Sequence, residues 1–230
     1  MILTAHQPAY IPWLGLLAKI ASADLFCLFD VCPMEDSGFE NRQRIKTQNG
    51  QQWLTVPVRR GRGIPLKDLM IADGQSWQRK HWRSIELAYQ RAPHFETYGS
   101  GFQRLLSQPW LKLAWLDRTL LLYFMAQFGI KTPMVQASDY DLQGSKSDVV
   151  LGMCRKLGAT KYIFGSQGRA YADVAAFKAA GIDVKFQAYN HPTYPQLHGE
   201  FIPMMGCLDL LFNVGGDAGR RVILSGASDQ

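Results

Sequence analysis

Charge is scarce in this 230-residue chain: Asp, Glu, Lys and Arg make up 19% of it, against 47% apolar residues. That balance excludes a disordered chain and supplies material for a large core. Cysteine is scarce as well. The four residues Cys27, Cys32, Cys154 and Cys207 contain no Cys-x-x-Cys pair, so neither a disulfide framework nor a dithiol motif is indicated. Cys27 and Cys154 fall in apolar patterns that suit buried free thiols. No His, Cys, Asp or Glu set has metal-ligand spacing, and neither a Gly-x-Ser-x-Gly elbow nor a P-loop occurs. No apolar run reaches membrane-spanning length. The start, Ile2-Leu3-Thr4-Ala5, lacks the basic and long apolar regions of a signal peptide. A cytoplasmic protein is the expectation.

The charge that is present leans positive. The formal net charge is +6, with Arg59, Arg60 and Arg62 clustered around Gly61 and Gly63. A basic balance favours a small anionic, phosphate-bearing ligand. No stretch interleaves basic and aromatic residues as a single-strand-binding groove does, which argues against nucleic acid. A homo-oligomer is compatible with this composition, and no cofactor is specified by it.

Hydrophobic spacing predicts an α/β fold. Residues 1 to 5 read as a buried strand, and Pro8 and Pro12 keep the next segment extended. Pro12 suits the first turn of a helix, along which Trp13, Leu16, Leu17 and Ile20 recur. Leu25 to Phe29 is a second strand, completing a βαβ unit. Gln52 to Val58 pairs with Arg42 to Lys46 across an Asn49-Gly50 turn. A helical insert is expected from about 75 to 130, closed by Gly129, with Trp110 and Trp115 packing inside it. Then come a strand at Met134 to Ala137 and a helix from Ser145 with Asp148 in the capping-box position. A strand at Tyr162 to Phe164, a helix from Tyr171 to Ala180 and a strand through Val184, Phe186 and Ala188 follow. The expected architecture is one domain, 1 to 230, with a mostly parallel sheet of Rossmann-like βαβ units and helices on both faces.

Several residues stand where this fold places chemistry. His6-Gln7-Pro8 follows the carboxyl end of the first strand, the edge at which ligands bind in open α/β sheets. His6 is the candidate acid or base, and Asp30, ending the second strand, is the other catalytic candidate. Gln7, Tyr10 and Trp13 share the same loop, and Gly15 allows close backbone approach. Asn41 precedes Arg42, Arg44 and Lys46, which share one face of an extended segment and suit phosphate or carboxylate. Trp77 and His81 stack one helical turn apart, near Lys80. Gly165 and Ser166, within Gly165 to Gly168, form a candidate anion seat, with Tyr171 on the same edge. His191-Pro192 and Tyr194-Pro195-Gln196 form a rigid turn whose polar tips suit the same pocket. Asp209, in an apolar helical run, requires a partner, in the core or in the site. Cys32 with His6 would make a nucleophile and base if the fold joined them.

Taken in order, these motifs resemble the WbqC-like protein family. The resemblance rests on His6-Gln7-Pro8, Pro12-Trp13-Leu14-Gly15, Lys19-Ile20, Asn41-Arg42 with Arg44-Ile45-Lys46, and Trp53 to Val58. It continues through Trp77 with Lys80-His81, Tyr162 to Gly168 with Tyr171, Pro192 to Gln196, and Asp209 to Asn213 with Gly215. The resemblance implies a bacterial protein linked to surface-polysaccharide synthesis. It suggests a transferase acting on a nucleotide-linked or phosphorylated amino sugar, with acyl or aminoacyl transfer to a sugar amine. The alternative is a non-catalytic module that binds a nucleotide or glycan precursor, or a scaffold. The sequence departs from the family pattern at Val31, where a second Asp is usual, near Cys32, where a Gln is usual, and at Gly206, where a Ser is usual. These departures point to a different substrate or to lost activity.

Overall fold

The computed structural model describes residues 1–36, 38–59, 61–72 and 76–228. Its centre is a five-stranded sheet of β1 (Ile2–His6), β2 (Leu25–Leu28), β5 (Met134–Gln136), β6 (Lys161–Phe164) and β7 (Asp183–Phe186), in the order β5-β2-β1-β6-β7. Every neighbouring pair in it is parallel. The chain lays β1 in the middle, adds β2 and β5 on one side, then returns to add β6 and β7 on the other. Helices follow from that order: α1 (Leu14–Ala21) links β1 to β2, α5 (Ser147–Lys156) leads to β6 and α6 (Val174–Ala179) to β7.

Residues alternate between the two faces, as a pleated strand requires. Phe26 and Leu28 pack with α1 and with the helical block α2 (Trp77–Tyr89), α3 (Phe95–Leu106), α4 (Leu113–Gln127), α7 (Cys207–Val214) and α8 (Gly216–Ser225). Cys27, Leu3, Tyr162 and Phe164 face the other way, onto Val150, Met153 and Cys154 of α5 and Phe177 of α6. Cys27 and Cys154 are the buried thiols their apolar context predicts. The hairpin β3 (Arg42–Thr47) and β4 (Gly50–Thr55) turns at Asn49-Gly50, with Gly50 at φ 92°. A short pair, β8 (Ala188–Tyr189) with β9 (Ala227–Ser228), completes the strands. No helix of the described residues is long and apolar enough to cross a membrane.

The differences from the sequence expectations have local causes. Pro12 does not enter α1, because Ile11 turns at φ 47° and Trp13 is still extended. Neither does α5 begin at Ser145: Gly144 and Lys146 hold positive φ, and no side chain caps the helix. The helix expected from Tyr171 begins only at Val174, because the Asp173 carboxylate accepts from the Ala176 N–H at 3.0 Å. Ala188 leaves the strand of Val184 and Phe186 to pair with Ser228. The β4 strand ends at Thr55, and Val58 bridges Ile71 instead. Trp110 packs on the core, but Trp115 does not and is 52% exposed.

Candidate functional site

The strand order reverses between β1 and β6. There the connections leave in opposite directions, and doubly wound sheets bind ligands in the crevice that such a reversal forms beyond the carboxyl ends of the strands. Thr4 is in register with Ile163, and His6 and Gly165 each follow two residues further along the chain from that pair.

His6 is half-buried and oriented. Its Nδ1 lies 2.8 Å from the Gln7 carbonyl, which accepts only, so Nδ1 carries the proton and Nε2 presents a lone pair. Nε2 has no hydrogen-bond partner among the described residues. Burial, then the charge of Lys19, holds the His6 pKa down at about 4, with the Gln7 hydrogen bond opposing. The imidazole is therefore neutral at pH 7.

Lys19, not among the site candidates read from the sequence, lies close to His6. It sits on α1, all but one of whose residues are buried, and is 4% exposed. Its Nζ donates to the Ala5 carbonyl at 2.9 Å, and no described carboxylate pairs with it. Burial lowers its pKa to about 8. The signal was present in the sequence: one cation in the apolar stretch Leu14 to Ala21. Gly165 turns its bare Cα towards this ammonium. Apart from chain neighbours, the one atom within 4 Å of where a Cβ would stand is Lys19 Nζ, at 3.9 Å. Ser166 is exposed next to it, within a single 3-10 turn from Ser166 to Ala170. Tyr171 follows, 43% exposed, with its ring against Phe164.

The loop between β1 and α1 is pinned from outside. The Tyr10 N–H donates to the Phe39 carbonyl at 3.0 Å, Gln43 Nε2 donates to the Ile11 carbonyl at 3.1 Å and the Cys207 N–H donates to the Pro12 carbonyl at 2.8 Å. These bonds hold Ile11 at a positive φ that costs a β-branched residue on the order of 1–3 kcal/mol. Gly206 belongs to the same clamp, since a Cβ there would stand 2.8 Å from Gln43 Cγ and 2.9 Å from the Ile11 carbonyl oxygen. Trp13 lies over Gly15, where a Cβ would stand 2.2 Å from the indole, and meets the Tyr189 ring edge-on. Gln7 reaches back to Cys32, with Nε2 at 3.2 Å from Sγ. Burial raises the Cys32 thiol to about 11, which removes the thiolate that a nucleophile requires.

Asp30 lies on the same sheet edge, beyond β2 on the side away from β6. It is buried, and its carboxylate accepts from the Ser138 N–H and hydroxyl at 2.9 and 2.7 Å. With Lys67, Lys112, Trp115 and Gln136 it lines a cavity of about 200 Å³. Lys112 there pairs with Asp68 at 3.1 Å and lies over the Trp115 ring.

Other candidates are engaged by the protein itself. Tyr10 is fully buried, and its hydroxyl lies 2.8 Å from His81 Nδ1; His81 Nε2 donates to the Thr55 carbonyl at 3.2 Å. Both ring nitrogens of His81 are thus satisfied, and burial depresses its pKa to about 4. Asn41 donates to the Val56 carbonyl at 2.8 Å. Arg42 and Arg44 flank the 47%-exposed Trp53 of β4, at 5.0 and 5.3 Å from its ring centroid. Lys46 is buried and donates to the carbonyls of Gly199 and Glu200. Gln196 exchanges hydrogen bonds with Ile202 and donates to Asp209. Of the basic loop, Arg62 lines a depression of about 310 Å³ with Met34 and Asp36, while Arg60 lies outside the described residues.

A five-stranded parallel sheet whose strand order reverses between β1 and β6 defines a doubly wound α/β protein. Residues 7–221 match the model of the WbqC-like protein family, and the chain belongs to that family. The uncharacterized protein Rv1507c of Mycobacterium tuberculosis is 36% identical over 215 residues, covering 92% of this chain and 93% of that protein. No solved structure matches.

Proposed function

We propose that this protein is a transferase whose reaction takes place in the crevice between β1 and β6. Its substrate is a nucleotide-linked or phosphorylated amino sugar of surface-polysaccharide synthesis, and the group transferred to the sugar amine is acyl or aminoacyl. The observation that carries this reading is His6: one ring nitrogen tied to the Gln7 carbonyl, the other free at the sheet edge. In the proposed step the sugar amine attacks the carbonyl of an activated acyl donor, a thioester or acyl phosphate. A C–N bond forms, the bond to the thiolate or phosphate leaving group breaks, and His6 Nε2 takes the amine proton.

The test is a product assay by mass spectrometry. UDP-linked amino sugars are mixed with acyl-CoA, or with an amino acid and ATP, for the native protein and His6→Gln. Turnover that falls by ~10²-fold or more in the variant supports the reading. Equal turnover in both would remove His6 from the chemistry. Sugar-nucleotide binding with no product from any pair would favour a binding module, a reading in keeping with the internal engagement of His81 and Gln196.

A further inference from the structure

Lys19 carries the least compensated charge described at the crevice. An ammonium taken out of water costs several kcal/mol unless an opposite charge or full hydrogen bonding replaces the water. Here one carbonyl, that of Ala5, uses one of its three N–H donors. Beside the ammonium, the space a side chain at residue 165 would fill is left open by Gly165. His6, at the end of β1, lies within Coulombic reach of this ammonium. Ser166 adds an exposed hydroxyl on the Gly165 side.

We propose that Lys19 is the anion-binding group of the crevice, receiving a phosphate or carboxylate oxyanion of the substrate between Gly165 and His6. The seat rests on the crevice being the site but not on which group is transferred there. It also differs from the sequence expectation, which gave this task to Arg42, Arg44 and Lys46 of the hairpin. An anion beside Lys19 offsets the buried charge, and it fixes the substrate within reach of His6 Nε2.

The experiment is a titration of inorganic pyrophosphate, with acetate as the carboxylate arm, followed by amide NMR and calorimetry on the full chain. Pyrophosphate or acetate should shift the amides of His6, Gly165 and Ser166 first, and the arm that binds names the oxyanion. Lys19→Met, which keeps the apolar stem to within one atom of its length but lacks the charge, should weaken that binding at least ~10-fold, and Lys19→Arg should weaken it less. Arg42→Ala should bind like the native protein. Shifts centred on Lys67 and Lys112, unchanged affinity in Lys19→Met, or no binding of either anion would each overturn the proposal. If Lys19→Met fails to fold, the amide map of the native protein decides. Binding without turnover would leave the seat standing and the transferase reading fallen. Turnover without anion binding would do the reverse.

Discussion

Lys19 Nζ and the Ala5 carbonyl oxygen are 2.9 Å apart, a bond that ties α1 to the residue before His6. Through it a buried ammonium is held close enough to His6 to disfavour a second positive charge. Lys19→Met should therefore raise the His6 pKa from about 4, yet leave it below the usual value, because burial is the larger cause. The ring-proton titration of His6 by NMR measures this. A midpoint unmoved by the substitution would show that the two groups do not sense each other.

His6 and His81 also make stability depend on pH, with a definite sign. Both have folded pKa values near 4, and an unfolded histidine titrates near about 6.5. As pH falls the unfolded chain takes up these protons first. Stability is complete above about 6.5 and is lost as pH drops towards 4, by roughly 3 kcal/mol for the buried His81. His81→Gln cannot titrate and should flatten that decline. Asp117, Asp209 and Glu40, raised by burial, act with the opposite sign in this range, so the native–variant difference is the quantity to read. Urea unfolding at pH 7 and pH 4.5 gives it, and parallel curves for the two proteins would contradict the assignment.

Asp209 is the acceptor on which a buried network converges. Tyr89 and Tyr194 donate their hydroxyls to it at 2.8 and 2.9 Å, Gln196 donates at 2.9 Å, and Tyr89 in turn accepts from the Lys46 N–H. Asp209→Leu strands two hydroxyls and one N–H of the Gln196 amide, each costing about 1–3 kcal/mol when left unpaired. A total loss of at least about 3 kcal/mol is expected, read as a lower urea midpoint. A change within 1 kcal/mol of native would show that the network relaxes around the substitution.

The order of strands and helices was legible because it is written in local periodicity: alternating residues in β3, and i, i+3 and i+7 spacing at Leu113, Leu116 and Leu120. Helix starts were less legible, since the positive φ values at Ile11 and Lys146 are not ones these residue types favour, and at Ile11 distant clamps impose it. Gln43 and Cys207, far along the chain, supply those clamps at the first loop. The sheet edge bearing His6 and Gly165 was foreseen, because a strand end marks it in the sequence. Which cations meet an open space was not. Lys46 and Lys19 are both buried lysines, and only the tertiary structure shows one bound to two carbonyls and the other to one beside a glycine.

The Gln7–Cys32 contact separates two chemistries that the sequence left open. Gln7 Nε2 lies 3.2 Å from Sγ and favours the thiolate, but burial outweighs it and the thiol is held at about 11 instead of near 9. Two units in pKa leave roughly 100-fold less thiolate at neutral pH than a free cysteine has. Cys32 is the one cysteine that is not fully buried, so labelling of the folded protein reports on it. Iodoacetamide at pH 7.5 should modify Cys32 far more slowly than free cysteine, and Gln7→Leu, which removes the donor, should slow it further. Cys32→Ser should retain any turnover that His6→Gln abolishes. Rapid alkylation of Cys32, or loss of turnover in Cys32→Ser with the fold intact, would move the nucleophile onto the protein and turn the direct amine attack into a two-step transfer.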